Sequence, residues 1–169
     1  MNKKDVVVVS GVRTAVGAFG GSLKNHTPAQ LGAAVVAESV IRSGIDSESI
    51  GHCVIGNVIH TEAHDMYISR VAALNGGLHH KTAAVTVNRL CGSGMQATIF
   101  GFDSIVAGTN KIVVTGGLES MSNAPHLLPG ARAGVRLGHA TMYEHMFYAG
   151  LEDAYTGRAL GTFAQATAH

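Results

Sequence analysis

Four short apolar runs, spaced by helical patterns, constrain what this chain can fold into. They are "DVVVVSG" (5–11), "HCVIGNVI" (52–59), "AAVTVN" (83–88) and "KIVVTGG" (111–117). The first is a continuous apolar run closed by Gly11, which fits a strand covered on both faces, and the other three also read as strands. Helical segments fall between them, which predicts parallel crossover connections and helices on both sides of a sheet.

The first connection has two parts. "RTAVGAFGGSLKNHT" reads as a glycine-rich loop, and Thr27-Pro28 then supplies a side-chain cap and a proline suited to a first helical turn. Ala33, Val36, Ala37, Val40 and Ile41 share one face of the helix predicted over 29–43, and Gly44 offers a left-handed stop. "DMYISRVAALNGG" predicts a second helix ending at Asn75-Gly76, and a third runs from about Gly92 to Val106, before Gly108. On that third helix Met95, Ile99, Phe102 and Val106 form one apolar stripe, with Ala97, Phe100 and Ile105 outside it. A helix so apolar around its circumference expects cover from more than one side. The fold class read from this order is α/β, βαβαβαβ, with a mostly parallel sheet and helices on both faces.

After Gly117 the texture changes. Residues 121–169 mix Pro, Gly, Arg and His with short helical possibilities and no convincing strand, and "AQATAH" reads as an interruption inside a helix. The expected division is an α/β domain over 1–120 and a partial, truncated loop domain over 121–169.

Composition narrows the function classes. The chain has 169 residues, 46% of them apolar and 14% charged, which suits one compact domain and argues against disorder. A net charge of +1 gives no electrostatic footprint for nucleic acid or an anionic membrane surface. The "MNKKDVVVVSG" start has basic residues and four valines, too few for a signal-peptide core or a membrane span. Cys53 and Cys91 are the only cysteines and form no C-x-x-C pair, so a cytoplasmic, reducing location is expected.

The stretch "NRLCGSGMQA" (88–97) carries the chemistry. A strand-turn-helix reading puts Cys91 at or just before a helix start, where free N–H groups and the dipole favour a thiolate. Gly92 and Gly94 permit a tight turn and close approach of a ligand carbonyl. The layout is analogous to a nucleophile elbow, with a neighbouring N–H available to an oxyanion. Position alone equally allows a small core thiol packed near a helix end.

"NRLCGSGMQA" together with "GGLESMSNAP" (116–125) resembles the thiolase family, acetyl-CoA acetyltransferases and bacterial β-ketothiolases. "VVVVSGVRTAVGAFGGSLK" and "GNVIHTEAHDMYISRVAALNGG" are similar to the same family, so the resemblance spans Val6 to about Pro125. It implies the N-terminal half of a thiolase fold, with Cys91 accepting an acyl group from an acyl-CoA. A second acetyl-CoA then attacks as a carbanion, and the reverse direction cleaves a 3-ketoacyl-CoA. Acyl-CoA and CoA are substrates, no metal or organic cofactor is implied, and the family implies a homo-oligomer, dimer or tetramer.

The family's G-H-P histidine, C-x-G cysteine and N-E-A-F-like asparagine are absent from this sequence. Cys53, in an expected strand, suits a core role. Near the end, "GLEDAYTGRALGTFAQATA" resembles a family segment lining the acyl pocket, but Ala159 stands where that segment has histidine. Leu151 and Leu160 are the residues it leaves as substrate-lining candidates. Two alternatives stay open: a catalytically inactive truncated or split-gene fragment needing a complementary half, and a redox-sensing thiol protein.

The other polar groups have plainer readings. His60 and His64, near Glu62 and Asp65, have a weak metal-ligand spacing, and no metal site is expected. His79, His80, His139 and His145 read as surface-loop residues. Glu119 suggests a turn or cap hydrogen bond rather than acid catalysis, and Arg70 and Arg89 suggest structural or subunit contacts.

Overall fold

The computed structural model describes residues 5–168. The first four residues, with the basic start of the chain, and His169 of "AQATAH" lie outside the described residues.

Helix α1 (Pro28–Ser43) forms where its local signals put it. Thr27 Oγ1 accepts the Gln30 N–H at 3.2 Å, and Gln30 Oε1 accepts the Thr27 N–H at 3.0 Å. This reciprocal box satisfies two N–H groups that the first turn cannot bond internally. Gly44 ends the helix at φ 66°. The buried stripe is Ala29, Gly32 and Val36, and Ile41 turns to solvent instead of joining it.

Strand β1 (His52–Gly56) is central, flanked in parallel by β2 (Ala83–Val87) and β3 (Val113–Gly117). Helix α2 (Ile68–Asn75), entered through a 3-10 turn at Ala63–Tyr67, links β1 to β2. Helix α3 (Ser93–Val106) carries the chain from β2 past β1 to β3. The two connections run in opposite directions along the sheet, so crossovers of one hand place α2 and α3 on opposite faces.

Strand parity shows those faces. Cys53, its register partners Ala84 and Val114, and Ile55 pack with Val36, Ala72, Ala73 and Leu78 of the α1/α2 layer. Val54 pairs with Thr115, and Thr115 and Val113 lie under Gly101 of α3. A Cβ at Gly101 would collide with those side chains. Helix α3 therefore turns its small residues, Ala97 and Gly101, to the sheet. Met95, Ile99, Phe100, Phe102 and Val106 stay exposed. The cover expected for that apolar stripe is not supplied by the described residues.

One predicted strand does not form. "DVVVVSG" has no strand assignment, and Val7, Val8 and Val9 are exposed. A cavity of about 950 Å³ separates this segment from β3, α1 and α3. A strand is defined by its ladder to a neighbour, and β-branched propensity does not replace that ladder. The described sheet therefore has three strands where the pattern predicts four.

Beyond β3 the chain does contain strands, though minimal ones. β4 (His126–Leu127) and β5 (Tyr143–Glu144) pair antiparallel. A π-helical turn follows at Phe147–Leu151, then α4 (Leu160–Thr167). No helix among the described residues is long and apolar enough to cross a membrane.

Candidate active site

The carboxyl ends of β1, β2 and β3 open on one edge of the sheet, where parallel α/β folds place their ligands. The turn after β2 is the most constrained of the three. Leu90 has φ 47°, the one positive value at a non-glycine residue among those described. For an L-residue that conformation costs roughly 1–2 kcal/mol and needs outside support. Asn88 Oδ1 accepts the Leu90 N–H at 2.9 Å. Ser93 Oγ accepts the Arg89 N–H at 2.8 Å and donates to the Leu90 carbonyl at 2.6 Å. The two side chains brace the turn from before and behind.

This turn exposes Cys91 immediately before Gly92, the N-cap of α3. No side chain caps that helix end. The Gly92 and Ser93 N–H groups are taken by the Arg89 and Leu90 carbonyls at 3.1 and 3.0 Å, so the N–H beside Cys91 expected to serve an oxyanion is already spent, and what this end offers an anion is the dipole of α3. Arg89 is engaged with Gln96 Oε1 at 2.9 Å, a structural contact within the same segment.

Glycines let the start of α3 sit on the sheet edge. A Cβ on Gly56 would stand 2.5 Å from the Ser93 carbonyl carbon and 2.7 Å from the Gly94 nitrogen. One on Gly117 would stand 3.1 Å from the Gly94 Cα. Backbone meets backbone here, so the position of Cys91 is fixed by the ends of β1 and β3 as well as by β2.

A cavity of about 390 Å³ lies at this edge, with Cys91 on its wall. Ile59, Leu118, Met121, Met146 and Leu151 give it an apolar lining, and Glu119 contributes a carboxylate. Leu151, from the π-helical turn, is therefore brought together with Cys91. Leu160 is outside this lining and opens α4.

Glu119 makes more contacts than a simple turn bond. Its Oε1 accepts Asn57 Nδ2 and the Ile59 N–H, both at 2.9 Å, and its Oε2 accepts the Val58 N–H at 3.1 Å. Burial raises its pKa above the usual carboxylate value, outweighing the Ile59 and Val58 donors that pull it down. Asn57 is 1% exposed, and sequence reasoning did not single it out. Its available signal was position: polar residues stand just past the ends of β1 and β3, in "GN" and "GGLE".

Cys53 contrasts with Cys91. It is fully enclosed between β1's neighbours and the α1/α2 layer, and burial pushes its thiol up to about 12. At neutral pH it is a protonated core residue.

The other polar candidates are held by local structure. Asp65 Oδ2 accepts the Thr61 N–H, the Thr61 hydroxyl and the Glu62 N–H. His64 lies 3.9 Å from Glu62. Among the described residues no three His, Cys, Asp or Glu side chains converge as metal ligands. Arg70 donates to the Thr82 and His80 carbonyls at 2.6 and 2.9 Å, so its guanidinium is a strut. His79 and His80 pack ring against ring, 4.1 Å between centroids. His139 is exposed, and His145 donates its backbone N–H to the Pro125 carbonyl at 3.0 Å.

Comparison with known proteins bears on this geometry. The family model described as "Thiolase, N-terminal domain" matches residues 6–169. A β-ketothiolase of Cupriavidus necator, BktB, is 50% identical over 162 residues, covering 96% of this chain and 41% of its own length. An acetyl-CoA acetyltransferase of Pseudomonas aeruginosa is 39% identical, with 96% of this chain and 41% of that protein covered. The crystal structure of the Bacillus anthracis acetyl-CoA acetyltransferase superposes with a TM-score of 0.91 at 34% identity, covering 97% of this chain and 41% of that one. The chain thus spans about 41% of the length of these relatives.

Proposed function

This chain belongs to the thiolase family, matching its N-terminal domain, and on that premise we propose that it supplies the acyl-accepting part of a thiolase-type acyltransferase. Cys91 is the nucleophile. Its Sγ attacks the thioester carbon of an acyl-CoA, the bond from carbon to the CoA sulfur breaks, and the thiol proton ends on CoA. One thioester replaces another, so the exchange costs little and the acyl carbon stays activated. A second acetyl-CoA gives up a methyl proton and attacks the acyl carbon as a carbanion; the bond from that carbon to Cys91 Sγ breaks, the proton ends on the freed thiol, a 3-ketoacyl-CoA forms, and the reverse sequence cleaves one.

The observation that carries this reading is the placement of Cys91. It is exposed on a braced, strained turn at an uncapped helix start, on the wall of an apolar cavity. An inert thiol needs none of those features, as Cys53 illustrates. Residues 1–120 provide the α/β layer in this reading, and 121–169 begin a loop domain over the acyl site. Met146 and Leu151 support that division, because they reach the Cys91 cavity from the second part. Leu151 lines the acyl site in this proposal, while Leu160 opens α4 outside that lining. Acyl-CoA and CoA are the partners, without a metal or organic cofactor, in a cytoplasmic homo-oligomer.

The described lining holds no histidine and no second cysteine, and in this reading turnover depends on a complementary half. The exposed apolar face of α3 favours the same dependence.

The test is to incubate the chain with acetyl-CoA, alone and mixed with the C-terminal portion of the Cupriavidus necator relative. Mass spectrometry should find one acetyl group on Cys91, absent from Cys91→Ser, and acetoacetyl-CoA cleavage only in the mixture. An unacetylated Cys91 in both samples, with ready modification by peroxide, would favour a redox-sensing thiol. Robust cleavage by the chain alone would sink the dependence on a second half.

A further inference from the structure

Two of the three loops at the sheet edge are joined by one carboxylate. Gly56, Val58 and Ile59 line the Cys91 cavity from the β1 side, and Glu119 lines it from the β3 side. Three donors of the β1 loop converge on Glu119: Asn57 Nδ2, the Val58 N–H and the Ile59 N–H. Asn57 extends the connection. Its Nδ2 also reaches the Leu118 carbonyl at 3.2 Å, and its backbone N–H donates to the Val87 carbonyl at 3.1 Å. Val87 is the last residue of β2, and Asn88, which follows it, braces the turn carrying Cys91.

The link therefore runs from Glu119 through Asn57 to the root of the nucleophile turn. A carboxylate suits the task because it is acceptor-only and can take all three donors. A glutamine keeps the shape but sets an N–H₂ against at least one N–H.

We infer that Glu119 is a positioning residue for Cys91: it fixes the Asn57–Ile59 wall of the cavity and, through Asn57, the register of the turn that presents the thiol. This inference rests on the acyl-transfer reading of Cys91. It assigns Glu119 no proton transfer, since its oxygens are spent on the loop.

The experiment compares the chain with Glu119→Gln and Glu119→Ala, each mixed with the C-terminal portion of the Cupriavidus necator relative. Two rates at Cys91 are followed: acetylation by acetyl-CoA, which needs the shaped wall, and alkylation by iodoacetamide, which needs only an accessible thiol. Amide exchange at Val58 and Ile59 is read against Val54 inside β1. In Glu119→Gln, acetylation should slow roughly tenfold while alkylation changes by less than about twofold, the signature of lost alignment. At least one of the two amides should exchange about tenfold faster, as expected for a released charge-assisted hydrogen bond.

Unchanged acetylation, unchanged exchange at both amides, or a parallel fall in both Cys91 rates would each overturn the inference. Should Glu119→Ala not fold, the near-isosteric Glu119→Gln decides alone. If acetyl-CoA leaves the unsubstituted chain unlabelled both alone and in the mixture, the acyl-transfer reading fails. Amide exchange, which needs no substrate, still decides whether Glu119 holds the wall.

Discussion

Gly56 lies directly beneath Ser93, so close that a Cβ on the glycine would stand 2.5 Å from the Ser93 carbonyl carbon. Ser93 in turn holds Arg89 and Leu90 on either side of the strained backbone before Cys91. The end of the central strand thus seats the turn that presents the thiol.

Gly56→Ala should destabilise the chain by about 1–3 kcal/mol, because the obstruction is backbone and has no flexible end to yield. It should also slow Cys91 acetylation by lifting the start of α3. Gly116→Ala, whose Cβ meets nothing within 4 Å, should stay within about 0.5 kcal/mol of the parent. Urea unfolding of the two variants measures the contrast, and equal losses would refute it.

Cys53 sets an alkaline limit on stability. Its folded pKa is about 12 against an ordinary 9.0, so the folded state holds this proton more tightly than the unfolded one. Stability from this group is intact below about pH 9 and falls as pH rises toward 12, by roughly 1.4 kcal/mol per unit within that window. Cys53→Ala should remove this part of the alkaline loss. Native-state alkylation at neutral pH should modify Cys91 and spare Cys53 until the chain is unfolded.

Glu119 has the opposite practical range but the same sign. Burial raises its folded pKa above 4.5 because desolvating the carboxylate outweighs the Ile59 and Val58 donors that hold it, so stability falls as pH rises through the folded pKa. Relative to Glu119→Gln, the parent should be most stable at acid pH and lose ground as the pH climbs from about 4.5 through the raised value. Thermal midpoints of both proteins across that range measure it. A parent that gains on the variant with rising pH would contradict the assignment.

Thr27→Ala should cost about 1 kcal/mol by removing the cap of α1. Neither Thr27 nor Gln30 lines the Cys91 cavity, so the Cys91 acetylation rate should be unchanged. A stability loss accompanied by slower acetylation would mean that α1 is coupled to the site.

Local signals made much of this architecture readable in the sequence. Thr27, Pro28, Gln30 and Gly44 are neighbours of the helix they delimit, and α1 begins and ends with them. The runs after His52, Ala83 and Val113 form strands because each finds a parallel partner. "DVVVVSG" has equal propensity but no ladder, and pairing is not written in a segment's own residues. On α3, hydrophobicity marked Met95 and Phe102, yet the sheet admits only Ala97 and Gly101 at its closest approach. Cys91 stood out because glycines surround it. Asn57 did not, since its importance lies in a partner 62 positions away.

That separation has a consequence for how the site comes into being. Synthesis proceeds at about 5–20 residues per second, so Asn57 precedes Glu119 off the ribosome by roughly 3–12 seconds. In the later part of that interval, once Cys91 has emerged and β2 is available to pair with β1, the Asn57–Ile59 loop still has no carboxylate to receive its donors. A nascent chain arrested before residue 119 carries its thiol on an unanchored edge. Translation itself therefore keeps the nucleophile and its clamp apart until the third strand is made.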